Sequence, residues 1–286
     1  MRTIVSGATR QVTIGDGLPT VLIGERINPT GKKKLAAALQ TGDLERVRQE
    51  ALAQVQAGAD ILDVNVGVPG LDEVELLPRA VKVVIEAVDV PVCLDSDNPR
   101  ALEAALKVYR GKPILNSVNG AEARLTDVLT LVKRHGTAVI GLCMDEKGIP
   151  HDIDTRVAIA RRIVDRAVAM GIPREDVIID TLALTVASDT HSALVTLETI
   201  RRVRDELGVN QTLGASNVSF GLPDRDVLNG AFLALAMAHG LTCPTVDVAK
   251  VRAFVTAADL VLGRDDYAMR YIKAFRQRQQ AQQERP

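Results

Sequence analysis

The chain has 286 residues, of which 47% are hydrophobic, so it is long enough to bury a large core. Its 35 basic and 36 acidic side chains leave a formal net charge of −1, and charge therefore does not direct it to nucleic acid or to an anionic membrane. Four Phe, three Tyr and no Trp are too few to stack single-stranded nucleic acid. The longest apolar stretch, residues 231–238, is far shorter than the roughly 20 residues that cross a bilayer.

The N-terminus and the cysteines both indicate a cytoplasmic protein. The first ten residues contain no sustained apolar segment, so we expect no secretory signal. Cys93, Cys143 and Cys243 are an odd number without C-x-x-C spacing, which fits reduced thiols. Each lies in an apolar, strand-like segment, and this favours buried thiols over zinc ligands. We therefore expect no metal site.

Short apolar runs alternate with segments of helical spacing along the chain. The predicted strands are residues 21–24, 61–62, 90–94, 113–115, 138–142, 177–179, 212–214 and 241–243. A short Lys-rich helix and a longer helix ending at Gly58 follow the first run. The other predicted helices are residues 72–87, 98–109, 122–134, 154–170, 191–207, 225–239 and 248–262.

This alternation predicts an α/β fold. Strands that are short and uniformly apolar are typical of parallel strands covered on both faces, and about eight repeats are the number that closes a TIM (β/α)8 barrel. A doubly wound open sheet is the alternative, although the chain has no Gly-rich dinucleotide or P-loop fingerprint. We predict a single domain over residues 1–286. It comprises an N-terminal β-hairpin extension in 1–20 that plugs one barrel mouth, the barrel in 21–275 and a flexible tail in 276–286.

Nearly every apolar run ends in an acid or an amide. These residues are Glu25, Asn28, Asp63, Asn65, Asp95, Asn116, Asn119, Asp145, Asp180, Asn217 and Asp247. In a barrel such positions meet at the C-terminal mouth, where active sites lie. The set contains no His cluster and no Ser–His pair, which disfavours metal hydrolysis and acyl transfer. Carboxylates and carboxamides suit a neutral heterocycle with several N–H donors, such as a pterin.

Seven segments, in chain order, carry a family resemblance. They are Ile23-Gly-Glu-Arg-Ile-Asn28, Leu62-Asp-Val-Asn-Val-Gly67, Cys93-Leu-Asp-Ser96, Ile114-Leu-Asn-Ser117, Gly141-Leu-Cys-Met144 with Gly148-Ile-Pro150, Ile179-Asp180 and Gly214-Ala-Ser-Asn-Val-Ser219. Together they resemble the methyltetrahydrofolate:corrinoid protein methyltransferases. The folate domain of cobalamin-dependent methionine synthase is a more distant relative. The resemblance covers residues 21–275 and leaves out the N-terminal hairpin.

The resemblance implies a homodimeric barrel that moves a methyl group between N5 of 5-methyltetrahydrofolate and the cobalt of a corrinoid (cobalamin). The corrinoid would be carried by a partner, such as a corrinoid iron–sulfur protein or the corrinoid subunit of a demethylase. By motif, Asn217 is the residue that hydrogen-bonds N5 during transfer, and Phe220 departs from the Gln common in the family. The implied binding residues are Asp95, Asn116 and Asp180 as pterin anchors, with Asp63, Asn65, Ser216 and Arg225 beside them.

Two other functions remain open at this stage. Dihydropteroate synthase shares the barrel and the pterin pocket, but it holds pyrophosphate with a Lys and an Arg-x-His pair near the last strands. Here those segments read Ser216-Asn217-Val218 and Cys243-Pro244-Thr245. A protein that binds reduced folate without catalysis is the second alternative. No histidine lies in the Asp-x-His-x-x-Gly signature of corrinoid modules, so we expect the corrinoid on a separate protein. The direction of methyl flux stays open.

Overall fold

The computed structural model describes residues 1–283. Its strands are β1 (Arg2–Ser6), β2 (Gln11–Gly15), β3 (Ile23–Ile27), β4 (Ile61–Asn65), β5 (Val92–Asp95), β6 (Ile114–Asn119), β7 (Ala138–Leu142), β8 (Val177–Asp180), β9 (Asn210–Thr212) and β10 (Thr245–Val246). Its helices are α1 (Lys33–Gln40), α2 (Glu45–Ala57), α3 (Glu73–Ala87), α4 (Pro99–Leu106), α5 (Glu122–His135), α6 (Ile153–Ala169), α7 (Ser192–Leu207), α8 (Arg225–His239), α9 (Val248–Val261) and α10 (Met269–Gln283). Short 3₁₀ helices lie at Arg174–Asp176, Ala215–Ser219 and Asp266–Ala268.

Strands β3 to β10 form a closed parallel barrel. Their order in the sheet is β10-β3-β4-β5-β6-β7-β8-β9. Gly214, just after β9, forms a parallel bridge with Thr245 of β10, and the Thr245 N–H donates to the Leu213 carbonyl over 2.9 Å. This contact joins the two ends of the sheet. The predicted (β/α)8 barrel is therefore confirmed, and the open doubly wound sheet is excluded.

The last two barrel strands lie elsewhere than the sequence predicted. Strand β9 begins two residues early, because the buried polar residues Asn210 and Gln211 occupy its first positions and an apolar pattern does not reveal them. The apolar run 241–243 lies beside β3, where the Thr242 carbonyl accepts from Val21 N–H. The next residue, Pro244, has no N–H to donate, so regular pairing begins only at Thr245.

The C-terminal end of the described chain also differs from expectation. Residues 269–283 form helix α10, which packs against α9, although no helix was predicted after residue 262. The expected flexible tail, residues 276–286, therefore falls partly within α10 and partly, at 284–286, outside the described residues. Within the described chain, no helix is both long and apolar enough to cross a membrane.

The N-terminal hairpin covers one mouth of the barrel, as predicted. Strands β1 and β2 pair antiparallel, with Arg2 opposite Gly15. The side chains of Val5, Val12 and Ile14 are buried among residues inside the barrel. The Asn210 carboxamide at the start of β9 donates to the Ile14 carbonyl over 3.1 Å. Because strand β9 starts at that residue, the hairpin covers the N-terminal mouth and leaves the C-terminal mouth open.

Candidate active site

The barrel interior changes from apolar to polar between one layer and the next. The lower layer packs on the hairpin and contains Ile23, Ile61, Cys93, Ile114 and Ile178, each fully buried. Side chains alternate along a strand, so the residue two positions further on faces the same interior. The upper layer obtained in this way consists of Glu25, Asp63, Asp95, Asn116 and Asp180. Five polar side chains from five strands therefore form one layer at the C-terminal mouth.

Asp63, Asp95 and Asn116 form the most tightly connected part of this layer. Asp95 lies opposite Asn116 in the β5–β6 register and opposite Asn65 in the β4–β5 register. The Asn116 Nδ2 atom donates to Asp63 Oδ1 over 3.1 Å. Asn65 Oδ1 accepts from the Gly67 N–H over 2.8 Å, which directs that carboxamide along the loop after β4.

The two carboxyl groups of this cluster resist ionisation. Burial raises the pKa of Asp63 to about 6, and the hydrogen bond from Asn116 opposes the rise. Burial also raises the pKa of Asp95 well above its ordinary value, and the neighbouring Asp63 charge adds to this effect while Asn65 counters it. Two adjacent buried carboxyls cannot both be charged cheaply, so the pair favours keeping a proton. Donors from a ligand would replace that proton.

Asp180 ends strand β8 on another side of the same mouth. Its Oδ1 atom accepts from the Leu182 N–H over 2.7 Å. Burial raises the pKa of Asp180 to about 7, against the opposing effects of that N–H and of the Arg156 cation. Asp180 is thus a buried acceptor held by its own loop.

Asn217 lies in the 3₁₀ helix that follows β9. Asn217 is exposed, and its Nδ2 atom lies 3.1 Å from the point where a Cβ atom on Gly214 would stand. The neighbouring Ser216 Oγ atom donates to Glu25 Oε1 over 3.3 Å. This bond connects the 3₁₀ helix to β3 and fixes the loop that carries the Asn217 carboxamide.

Arg225, the first residue of α8, supports the same loop. Its Nε atom donates to Ser219 Oγ over 2.9 Å, and its Nη2 atom donates to the Ser216 carbonyl over 2.8 Å. Its guanidinium lies 5.9 Å from the centre of the Phe220 ring, within cation–π range. The Phe220 side chain is 68% exposed, so the loop presents an apolar ring to solvent beside the mouth.

The remaining strand-end residues serve their own loops. The side chains of Asn28, Asn119 and Asp145 each accept a backbone N–H two residues further along the chain. Asp247 directly precedes α9 and forms an ion pair with Arg26 at 3.5 Å. Asn65 and Asp180 make the same kind of turn bond, and Asp247 lines a cavity with Glu25 and Ser216, so the expectation that all strand-end polar residues share one site stays a prediction for these four.

The sequence pattern places Glu25 among the strand-end acids without an individual role, and it does not reveal Arg156. Glu25 faces the mouth from β3, and burial raises its pKa against the effect of Lys32. The signal for Glu25 was present, since it lies two residues after the inward-facing Ile23. Arg156 lies on α6 and is only 1% exposed, and no periodicity distinguishes it from the other arginines of that helix.

The thiols do not contribute to this site as nucleophiles. All three cysteines are free and buried, and burial raises the pKa of Cys243 to about 12 and the pKa of Cys93 well above its ordinary value. Thiols with such pKa values stay protonated at neutral pH and are unreactive. Among the described residues, no group of three His, Cys, Asp or Glu side chains has an arrangement that would hold a metal ion.

The family model described as "Pterin binding enzyme" matches residues 24–247, which include all of the barrel strands except the first residue of β3. The chain therefore belongs to the pterin-binding enzymes. It is 30% identical over 267 residues to the methylcorrinoid:tetrahydrofolate methyltransferase of Eubacterium limosum, an alignment that covers 90% of this chain and 96% of that protein. It is 31% identical over 260 residues to the methionine synthase of Mycobacterium tuberculosis, which covers 86% of this chain but only 22% of that longer protein.

Solved structures with the same fold include dihydropteroate synthases. The enzyme of Yersinia pestis, solved with a pterin–sulfa conjugate, superposes with a TM-score of 0.70 at 14% identity and covers 91% of this chain and 99% of that one. The enzyme of Xanthomonas albilineans, solved with 7,8-dihydropteroate, gives a TM-score of 0.67 at 21% identity, covering 91% of this chain and 98% of that one. At these identities the likeness concerns the fold alone.

Proposed function

We propose that this protein transfers a methyl group between N5 of 5-methyltetrahydrofolate and the cobalt of a corrinoid on a separate protein. The observation that carries the proposal is the acceptor layer at the C-terminal mouth, in a chain similar over nearly its whole length to a protein named for this reaction. The corrinoid is a substrate borne by the partner, so this chain has to bind the folate, orient it and manage one proton.

Asp95, Asn116 and Asp180 hold the pterin in this proposal. The 2-amino group and the adjacent ring N–H of a pterin form a planar donor edge, and a carboxylate can accept two parallel N–H bonds from such an edge. Burial and the neighbouring Asp63 charge raise the pKa of Asp95, which supports this assignment, because N–H donors of a ligand would favour the charged form that burial disfavours. Asp63 and Asn65 line the same wall, and Ser216 and Arg225 hold the loop above it.

Asn217 acts on N5 in this proposal. When the bond between N5 and the methyl carbon breaks, its electron pair returns to N5, and a proton has to arrive there because an amide anion is a poor leaving group. A carboxamide does not ionise at working pH, so Asn217 orients and stabilises the N5 hydrogen bond while water supplies the proton. Such a preorganised donor is worth on the order of 10²–10³ in rate.

The corrinoid protein reaches the methyl group through the C-terminal mouth, since the hairpin covers the opposite one.

Exposed apolar side chains on α8, α9 and α10 support the further proposal that two copies of the chain form a homodimer through these helices. They are Leu235, Phe254, Val261, Ile272 and Phe275. Sedimentation of the protein at micromolar concentration measures this directly, and a monomer at all concentrations would contradict it.

Stopped-flow absorbance tests the proposed reaction. A reduced corrinoid protein mixed with this enzyme and 5-methyltetrahydrofolate should change its visible spectrum, because alkylation alters the cobalt ligand field. Folate binding by calorimetry without any spectral change, using several corrinoid proteins, would instead favour a binding protein. Product formation from a pterin pyrophosphate and p-aminobenzoate would favour the dihydropteroate synthase reaction, for which β10 and the residues after it supply no Arg-x-His pair.

A further inference from the structure

A buried guanidinium connects two of the loops at the C-terminal mouth. Arg156 lies in the first turn of α6 and is the largest of the fully buried side chains. Its Nε atom donates to the Pro150 carbonyl over 2.8 Å, in the loop after β7. Its Nη1 atom donates to the carbonyls of Thr181 and Leu182 over 2.9 and 2.8 Å, in the loop after β8. A buried cation with this many partners determines the course of both loops.

One of these partners has a strained backbone. Leu182 has a φ of +61°, in the left-handed region that residues other than glycine seldom adopt. Its carbonyl accepts from Arg156 and also from Thr196 Oγ1, at 3.1 Å. Its N–H donates to Asp180 Oδ1 over 2.7 Å. The conformation that turns this N–H toward Asp180 is therefore the conformation that Arg156 and Thr196 hold.

We propose that Arg156 is a positioning residue for Asp180, holding the Leu182 peptide so that its N–H fixes Oδ1 and Oδ2 is directed to the pterin. The proposal rests on the proposed function, because it takes Asp180 as a pterin anchor. Arg156 touches no substrate in this arrangement and acts only through the loop after β8.

The charge of Arg156 has a second effect on the same carboxyl. The titratable groups that face Asp180 are the Arg156 guanidinium on α6 and the thiols of Cys143 and Cys243, which follow β7 and precede β10. The thiols are neutral at physiological pH, so Arg156 is the cation that favours the ionised form of Asp180 among these groups. Removing the charge should raise the pH at which Asp180 becomes an acceptor, whereas moving the donors without removing the charge should not.

Two substitutions separate these effects. Arg156→Lys keeps the charge and loses the planar set of donors, and Arg156→Gln loses both. We expect Arg156→Lys to weaken 5-methyltetrahydrofolate binding by roughly tenfold, as for loss of an ordered hydrogen-bond network. We expect Arg156→Gln to weaken it at least as much and also to move the midpoint of its pH dependence upward. Arg161→Lys, on the exposed face of the same helix, is the matched control and should leave affinity and pH midpoint unchanged.

Amide hydrogen exchange in the ligand-free protein distinguishes failure of this inference from failure of the proposed function. Exchange at Leu182 should accelerate in Arg156→Lys and not in Arg161→Lys, whether or not folate binds. Wild-type exchange at Leu182 in both Arg156 variants would overturn the inference. If the wild-type protein binds folate, an unchanged folate affinity in these variants would overturn it as well. If the Arg156 variants do not fold, Thr196→Val tests the inference instead, because it keeps Arg156 and removes the second donor to the Leu182 carbonyl, together with the contacts of Thr196 Oγ1 to the Ser192 carbonyl and to Arg156 Nη1. It should accelerate the same amide, and protection equal to wild type would overturn the inference.

Discussion

The Asn116 carboxamide on β6 reaches past β5 to donate to Asp63 on β4, with 3.1 Å between Nδ2 and Oδ1. This bond determines the orientation of the amide, because it engages one of the two hydrogens on Nδ2, while the carboxamide oxygen accepts no hydrogen bond from the described residues. That oxygen is therefore available as an acceptor for a ligand, like the carboxyl groups beside it. A cavity lined in this way recognises a ring that is rich in donors.

Asp63 should contribute to ligand binding through the orientation of Asn116. Asp63→Val removes the acceptor, frees the amide to rotate and should weaken 5-methyltetrahydrofolate binding about tenfold by calorimetry. Asp63→Asn keeps an oxygen that accepts from Asn116 and should stay within about threefold of wild type. Asp165→Asn, an exposed position on α6, is the control. Equal weakening by both Asp63 variants would mean that the carboxylate itself contacts the ligand.

Ligand affinity should rise with pH between about 5 and 8. The pKa of Asp180 is raised to about 7, so this group is protonated at the acidic end of this range and becomes an acceptor as the pH increases. Protonation of Asp180 lowers the affinity up to tenfold per pH unit below its pKa. Calorimetry in buffers of different ionisation enthalpy should also detect release of protons on binding at pH 7. Proton uptake, or an affinity that falls with rising pH, would contradict this account.

Asp180→Asn should stabilise the protein while impairing binding. The folded-state pKa of about 7 lies above the ordinary 3.8, so the folded protein binds more protons than the unfolded chain and loses stability as pH rises toward 7. At pH 8 the neutral amide avoids this cost, and we expect a gain of about 1–2 kcal/mol after allowance for partial solvation. The gain should shrink as pH falls toward 4. Urea unfolding at pH 5 and pH 8 measures it, and a loss of stability at pH 8 would refute the assignment.

Asn217 and Gly214 should affect turnover through the same atom. Asn217→Ala should lower kcat on the order of 10²–10³ with little change in folate affinity. Gly214→Ala brings a methyl group within 3.1 Å of Asn217 Nδ2 and should displace the carboxamide, lowering kcat by a smaller factor. The double variant supplies the control: it should be no slower than Asn217→Ala alone. Additive losses would show that Gly214 acts by another route.

The hairpin should stabilise the barrel without acting on the site. Val5 is fully buried against the lower layer of the interior, so Val5→Ala leaves a cavity and should cost about 1–2.5 kcal/mol of unfolding free energy. Thermal unfolding measures the loss, and steady-state kinetics should give an unchanged KM. Ile4→Ala on the same strand, where the side chain is 44% exposed, should cost much less.

The sequence predicts the barrel and its polar layer well, because both follow from a period of two. Ile61 and Asp63, or Cys93 and Asp95, show the change from apolar to polar within single strands, and the carboxyl ends of parallel strands meet at one mouth. It does not reveal β10, since the run at 241–243 is apolar while pairing is interrupted at Pro244. It cannot reveal Arg156 either. The partners of that side chain are backbone carbonyls from two distant loops, and carbonyls leave no pattern in a sequence.

Strands β1 and β2 close the N-terminal mouth of the barrel, so the proposed folate site can be reached only from the C-terminal mouth. In the proposed reaction the folate and the protein-borne corrinoid share that entrance. The folate therefore has to bind before the corrinoid protein docks over it. Product release follows the reverse order. The corrinoid protein has to dissociate before tetrahydrofolate can leave, because the hairpin covers the opposite mouth. If the proposed reaction is correct, the hairpin of residues 1–15 therefore sets the order in which the two substrates bind.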